Sequence, residues 1–493
     1  MRETKSEAQD ADDSHRPPPK KPGAADRLGV EPVGRLLLRF SIPAITGMVV
    51  SATYGFVDRI FIGRWVNDMA LGGLALVMPL LTVSLAVSML FGIGAANMIS
   101  MRLGQGRKEE AENALAHCFF LLLGAGVLMT VVGLALLDPL LSILGAQEGS
   151  EALGYARAYF RIILFSSVFS MLAFGFSHCT RAQGFPVITM IALLIGAILN
   201  IAFDALFIVA LGWGMEGAAL ATVIAQFVSM TWILGFSLSR KPVVRLRLRT
   251  FRPSLVIVRQ IMSFGSAHFL YNITLSAVQI LFNNIMFRYG AAALGVPHGG
   301  DIALAGMNII SGIQLMILMP IFGINQGAQP LLGYNYGAKK YDRVLRAYLL
   351  AVAAGTAVCV AGFAATMLFP TQLVMLFVVD GGDPLLIPFA TRAMRVMFMM
   401  LPIVAFTLIS TTFFVVTGRP KISVLLSLLR QCIILAPLAL IFSRIWGMWG
   451  IIVATPVSDA LVLLITGALI FFELRKLRGM RNIVPEAGAE SAG

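Results

Sequence analysis

The sequence predicts an all-α membrane protein with twelve transmembrane helices in two six-helix bundles related by a parallel internal repeat. Three observations predict it: apolar runs of bilayer length, basic residues gathered in alternate loops, and short motifs that return about 233 positions downstream. Of 493 residues, 58% are hydrophobic and 13% charged, with mean hydropathy +0.84. Soluble domains carry roughly 25% charged residues.

A spanning helix needs about 20 apolar residues, and the chain supplies them in order. The run 36–63 follows Arg2, Lys5, Arg16, Lys20, Lys21 and Arg27. Runs 70–99 and 112–137 are parted by Arg102, Arg107 and Lys108, and 157–180 comes after Asp138, Glu148 and Glu151. Arg181 separates that run from 186–212, and Glu216 opens 216–238. A long loop with Arg240, Lys241, Arg245, Arg247, Arg249 and Arg252 leads into 257–288 and 302–332. Lys339, Lys340, Arg343 and Arg346 precede or enter 345–370, and Asp380 and Asp383 precede 386–417. Arg419 and Lys421 introduce 421–443, and the last run, 449–473, ends before Arg475, Lys476, Arg478 and Arg481.

Basic loops alternate with acidic ones, so the positive-inside rule puts both termini in the cytoplasm of a cell whose inner membrane the chain crosses. The net charge of +13 belongs to those loops and implies no nucleic-acid partner. Residues 1–34 are polar, include Pro17-Pro18-Pro19, and hold no apolar h-region. They are expected to form a disordered cytoplasmic tail without a cleavable signal peptide. The lobes are expected at 35–239 and 257–476, with a basic linker at 240–256 and a second cytoplasmic tail at 477–493.

The repeat follows from the sequence itself. Trp213-Gly214-Met215-Glu216-Gly217 returns as Trp446-Gly447-Met448-Trp449-Gly450, and Ala221-Thr222 as Ala454-Thr455. Phe91-Gly92-Ile93 and Gly106 recur as Phe322-Gly323-Ile324 and Gly337, and Gly184-x-Pro186 as Gly418-x-Pro420. Six helices per unit is an even number, so both copies enter the membrane in the same sense. Parallel repeats of this kind are typical of transporters with a site between two halves.

Two acids stand inside apolar runs, Asp58 and Asp204. An acid at the centre of a spanning helix costs about 2.5 to 3.5 kcal/mol, which marks such a residue as a functional candidate. Asn200 and Asp204 are four apart and share a helix face, as do Tyr54 and Asp58. Helices one and five run outward, so both acids fall in the outer half, and Thr222 on helix six reaches a compatible depth. Asp58, Asn200, Asp204 and Thr222 are therefore candidates for a cation or proton site in the first lobe. The second lobe does not repeat them: Asn200 maps to Ile433 and Asp204 to Pro437, while Asp58 maps near Asn283 or Asn284. Gln279, Asn283, Asn284 and Asp459 are the candidate polar contributors from that lobe, with a structural hydrogen bond the competing reading for Asp459. Pro43 weakens the first helix fifteen residues before Asp58 and is a candidate hinge as well as a plain kink.

Other residues carry blander readings. Arg59 points about 100° away from Asp58 on a helix, toward a headgroup or a neighbouring helix. Cys118, Cys179, Cys359 and Cys432 lie in or beside apolar runs without CxxC or Cys/His spacing and read as small core residues. His117, His178 and His268 have no partner at metal-ligand spacing. The absence of a paired-acid, zinc or HExxH motif argues against a membrane enzyme such as a prenyltransferase.

Several motifs together resemble the multidrug and toxic compound extrusion (MATE) family, within a wider group that includes lipid-linked saccharide flippases. They are Tyr54-Gly55-Phe56-Val57-Asp58-Arg59-Ile60-Phe61-Ile62-Gly63, Asn200-x3-Asp204 followed by Trp213-Gly214-x2-Gly217-x4-Thr222, and Gly327-Ala328-Gln329-Pro330-Leu331-Leu332-Gly333-Tyr334-Asn335-Tyr336-Gly337-Ala338. The match spans about residues 34 to 476. The resemblance implies two bundles around a cleft and export of organic cations or amphipathic compounds in exchange for inward H+ or Na+. It also implies that Asp58, Asn200, Asp204 and Thr222 form the coupling site, with Pro43 at the bend of the first helix and Tyr54 beside the acid. Acids found in helices seven and ten of one branch are missing here, which places the chain nearer the branch coupled through its first lobe. The expected partners are small amphipathic or cationic solutes and the lipid bilayer. The chain is expected to act as a monomer, with no cofactor besides the coupling ion and no metal apart from Na+ if Na+ is that ion. A flippase is the alternative, but it needs Arg or Lys facing the cleft to hold a polyanionic headgroup.

Overall fold

The computed structural model describes residues 25–143, 151–247, 251–378 and 383–481. The expected tail up to residue 24, the tail from 482 onward, and Glu148, Arg249 and Asp380 lie outside them.

Twelve helices are long and apolar enough to cross a bilayer. In the first lobe they are α1 (Val33–Trp65), α2 (Met69–Gly104), α3 (Lys108–Ala135), α4 (Leu153–Ala182), α5 (Pro186–Ala210) and α6 (Gly214–Leu238). In the second they are α7 (Leu255–Leu294), α8 (Gly299–Gly337), α9 (Tyr341–Leu368), α10 (Leu386–Val416), α11 (Pro420–Trp446) and α12 (Met448–Gly479). Hydrocarbon offers backbone groups no partners, so each crossing segment closes its own hydrogen bonds as a helix. No strand occurs among the described residues.

The repeat is written in the turns. Gly184 and Gly418 take φ of 102° and 78° just before the helix-opening prolines of α5 and α11, and Gly214 and Gly447 take 55° and 59°. The turn after α2 has Gly106 at φ 74°, and its counterpart after α8 is Lys339 at φ 57°. This corrects the expected pairing of Gly106 with Gly337. The left-handed conformation is repeated two residues later, on a lysine that tolerates it less readily than glycine, while Gly337 is needed for packing. Helices α5 and α11 each contain a π-helical stretch, Ala205–Ala210 and Leu429–Leu435.

Each lobe has its own apolar core, but α1 divides its loyalty. Its first turns, with Leu36, Leu37 and Phe40, pack with Ile324, Leu331, Tyr348 and Phe413 of the second lobe. Ile62 near its end packs with Leu74, Tyr159, Phe160 and Ile208 of the first. Glycines let the lobes touch. Gly94 lies against the Ile261 carbonyl, Gly265 against that of Leu90, Gly104 against that of Tyr334, and Gly337 against that of Met101, with no room for a Cβ at any of them. Gln329 Nε2 donates to Asn97 Oδ1 at 2.6 Å, and Asn272 Nδ2 to Met89 Sδ at 3.2 Å. All these contacts lie in the halves of the helices next to the basic loops. The lobes are thus joined at the basic end.

One expectation changes here. Residues 25–34 are not tail: Arg27–Val30 forms a short helix, α1 begins at Val33, and Leu28 is fully buried. The described parts of the linker are held to the first lobe. Val244 is buried and its N–H donates to Gln183 Oε1 at 2.9 Å, while the N–H of Ser254 donates to His117 Nε2, also at 2.9 Å. Of the cysteines, Cys118, Cys179 and Cys359 are buried as expected, whereas Cys432 is exposed.

Candidate functional site

Four helices of the first lobe bring polar side chains together in the half away from the basic end. Helix α1 supplies Tyr54 and Asp58, α4 supplies Tyr159, α5 supplies Asn200 and Asp204, and α6 supplies Thr222. Asp204 is fully buried, and Asp58, Asn200 and Tyr159 are 9%, 2% and 4% exposed. Asn200 Nδ2 donates to Thr222 Oγ1 at 3.2 Å. The carboxyls of Asp58 and Asp204 face each other within side-chain reach. Tyr159 adjoins Thr222 and both acids, and Tyr54 adjoins Asp58.

The arrangement leaves oxygen atoms over. Asp58 Oδ1, both carboxylate oxygens of Asp204 and Asn200 Oδ1 are buried without a hydrogen-bond partner among the described residues. Arg59 is exposed and pairs with neither acid. Burying even one polar group unpaired costs about 1 to 3 kcal/mol, and a charged group more. Two carboxylates at close range without a fixed counter-charge are costly to keep ionised together, so the arrangement is chemically able to take up a proton or coordinate a cation. No group of three or more His, Cys, Asp or Glu among the described residues is arranged to hold a metal ion. A Na+ ion is the metal that suits these atoms, since carboxylate, amide and hydroxyl oxygens are ligands for hard cations.

Local structure aims the site. The π-helical stretch Ala205–Ala210 begins one residue after Asp204, and single π turns are frequent where a helix must re-aim a side chain at a functional position. Along it Phe203 stacks on Phe207 and Phe207 on Trp213, with centroids 5.3 Å and 5.1 Å apart.

The remaining expected residues lie elsewhere. Pro43 is buried where α1 packs on α8, between Ser41 and Ile45, which touch Gly327 and Gly323. It belongs to the seam and not to the acid site. Gln279, Asn283 and Asn284 are exposed on α7, away from its core-facing Val278, Ile285 and Met286.

A family model described as MatE matches residues 43–206 and 269–441, more than half of the chain.

The chain belongs to the MatE family.

Its relatives agree in extent as well as in kind. The multidrug export protein MepA of Staphylococcus aureus (strain NCTC 8325 / PS 47) is 25% identical over 446 residues, covering 90% of this chain and 94% of that protein. A multidrug resistance MATE family transporter of the MOP superfamily, solved in an outward-facing conformation, superposes with a TM-score of 0.85 at 24% identity, covering 93% of this chain and 100% of the other. A crystal structure of MATE in complex with MaL6 gives a TM-score of 0.86 at 24% identity, again over 93% of this chain and 100% of the other. The fold of this MatE chain is therefore that of the solved transporters, and the family resemblance read from residues 54–63, 200–222 and 327–338 holds.

In this MatE protein Asp459 is not a free cleft acid. Its Oδ1 accepts from Arg430 Nε at 3.1 Å, and the two side chains are only 13% and 15% exposed. Arg430 sits on the π-helical stretch Leu429–Leu435 of α11. The two lobes thus treat buried acids differently: the first leaves a pair without a basic partner, and the second neutralises one with arginine. Sequence reasoning missed both Arg430 and Tyr159. The signal for Arg430 was an arginine nine residues inside an apolar run, and for Tyr159 the Tyr155-x3-Tyr159 spacing at the depth of Thr222.

Proposed function

We propose that the chain is a secondary active antiporter that exports organic cations or amphipathic compounds in exchange for H+ or Na+ by alternating access, and that it is a transporter and not an enzyme. The observation that carries this reading is the facing pair Asp58 and Asp204, buried with unpartnered oxygens beside Asn200 and Thr222. The coupling ion, entering from the open side of the cleft, neutralises the pair and removes the energetic reason for the lobe's present packing. Substrate leaves by the same opening. Each ligand favours a different state, and linkage then requires that binding of one disfavours the other. In this reading the positive-inside orientation puts the closed seam on the cytoplasmic side, the cleft opens outward, and both termini are cytoplasmic. The kinship with MepA, a multidrug export protein, supports the export of small compounds.

The flippase reading finds less support. A polyanionic headgroup requires basic groups in the cleft, and Arg430, well inside the bundle, is already paired with Asp459. Uptake of a cationic dye into inverted or reconstituted vesicles, with a proton gradient and a sodium gradient imposed separately, tests the proposal. Uptake driven by one of the two gradients is expected; uptake driven by neither, across a panel of organic cations, would sink it.

A further inference from the structure

The segment ahead of α1 runs under the seam between the lobes. Ala25 is buried in the core of the first lobe, with Ala95, Leu103 and Ala111, whereas Leu28 is buried with Leu331 and Tyr348 of the second. Backbone carbonyls fix it in place. Asn335 Nδ2 and Arg343 Nη2 both donate to the Leu28 oxygen at 3.0 Å, Lys340 Nζ to that of Gly29 at 2.9 Å, and Arg343 Nη2 to that of Glu31 at 2.5 Å. The segment therefore has a defined course, and so has the arginine it carries.

A cavity of ≈ 240 Å³ lies beside it, lined by Arg27, Leu36, Arg39, Phe40, Gly184 and Phe185. Its character is amphipathic. Leu36 and Phe40 are 1% and 2% exposed and form an apolar floor, while the two guanidiniums share one carboxylate, Glu31, at 3.8 Å from Arg27 Nε and 3.6 Å from Arg39 Nη1. Both distances are long for charge-assisted hydrogen bonds, which run about 2.7 to 2.9 Å. Two cations against one loosely held anion leave a net positive charge at the mouth. The chain turns here from Gly184 and Phe185 into α5, whose first turn has no side-chain cap, so its backbone N–H groups add to the positive field. Basic pockets between transmembrane helices at the cytoplasmic face are where anionic lipid headgroups bind, and a planar guanidinium matches phosphate in a bidentate manner.

We propose that this cavity binds the phosphate group of an anionic lipid between Arg27 and Arg39. Its walls come from both sides of the seam: Gly184 and Phe185 belong to the first lobe, and the start of α1 packs with the second. The site is complete only while the lobes are closed at the basic end, and a bound headgroup favours that state over the opposite one. This assignment does not depend on the identity of the coupling ion or on the acid site.

The test uses the full-length protein in neutral detergent, titrated with short-chain phosphatidylglycerol, with phosphatidylcholine, or with inorganic phosphate, reading the midpoint of thermal unfolding. Phosphatidylglycerol is expected to raise the midpoint in a saturable way, phosphatidylcholine and inorganic phosphate are not, and Arg27→Gln or Arg39→Gln should each weaken the apparent affinity about tenfold. Glu31→Gln removes the competing carboxylate and should strengthen it, so the test survives even where an arginine variant does not fold. Equal responses in the wild type and Glu31→Gln, or a full response to inorganic phosphate alone, would overturn the proposal.

Discussion

Asp58 on α1 and Asp204 on α5 face each other in the first lobe, and no basic side chain is paired with either among the described residues. Helix α1 links this pair to the seam. Its far half holds Asp58 beside the first-lobe core, and its first turns are packed into the second lobe. A change of charge at Asp58 therefore acts on a helix that spans the contact between lobes. Under the proposed antiport, that is the physical route from ion binding to alternating access.

Thr222 and Tyr159 surround the pair with hydroxyls. Thr222→Val keeps the shape and removes the acceptor of Asn200, and Tyr159→Phe removes the hydroxyl that adjoins Thr222. A hydrogen bond is worth about 0.5 to 1.5 kcal/mol net, so each variant should weaken the apparent affinity for the coupling ion by roughly 2- to 12-fold. Initial rates of dye transport against ion concentration measure this. Unchanged half-saturation in both variants would remove these hydroxyls from the site.

Arg430 is predicted to matter for stability more than for coupling. Arg430→Gln leaves Asp459 mostly buried and unpaired, and breaking a buried pair by removing one partner costs about 3 to 5 kcal/mol. The single variant should unfold at a lower temperature in detergent, and Arg430→Leu combined with Asp459→Leu should recover most of the loss. A double variant no more stable than the single one would contradict the view that the pair merely compensates itself.

Gly104 and Gly337 allow α2 and α8 to meet at the basic end, with the backbone carbonyls of Tyr334 and Met101 against them. Gly104→Val or Gly337→Val inserts a side chain where not even a Cβ fits. Each is expected to hold this end apart and to abolish transport while leaving the protein in the membrane. Labelling of a cysteine introduced at Ser100, which is 1% exposed in the closed seam, should rise in the variant; labelling as low as in the Ser100→Cys control would contradict the role of the seam.

At the end away from the seam, His298 on the turn between α7 and α8 bonds Asp383 at 2.8 Å, and the N–H of Leu385 donates to the same carboxylate. Those two bonds, the backbone one foremost, hold the Asp383 carboxyl below its ordinary 3.8. For an acid with a depressed pKa, the tie is fully present above the ordinary value and is lost as pH falls through the lowered one. Proteolysis of the loop around 383 should be slow at neutral pH and accelerate only below about pH 4, the ordinary carboxylate range. Asp383→Asn should be cleaved quickly throughout, and a wild-type rate independent of pH would count against the tie.

Much of this architecture was legible in the sequence, for reasons that are specific. The spans were readable because hydrocarbon demands length and apolarity together, and the polar cluster because Asp58, Asn200, Asp204 and Thr222 interrupt apolar runs on compatible faces. Tyr159 was hidden because tyrosine is at home near a membrane interface and its presence in an apolar helix raises no alarm. Arg430 was hidden because its partner lies on another helix, and periodicity along one helix carries no information about its neighbour. Residues 25–31 read as tail because their anchors are their own carbonyls, held by Asn335, Lys340 and Arg343 some three hundred positions away. The same distance concealed the seam, whose glycines look like ordinary helix glycines until the opposing backbone is known.

The central claim is that Asp204 couples an ion gradient to export. The measurement that bears on it most directly is gradient-driven efflux by Asp204→Asn, compared with wild type at matched amounts of protein in the membrane. The account predicts that coupled efflux is abolished while the protein is inserted normally. Efflux at the wild-type rate under the same gradient would contradict it.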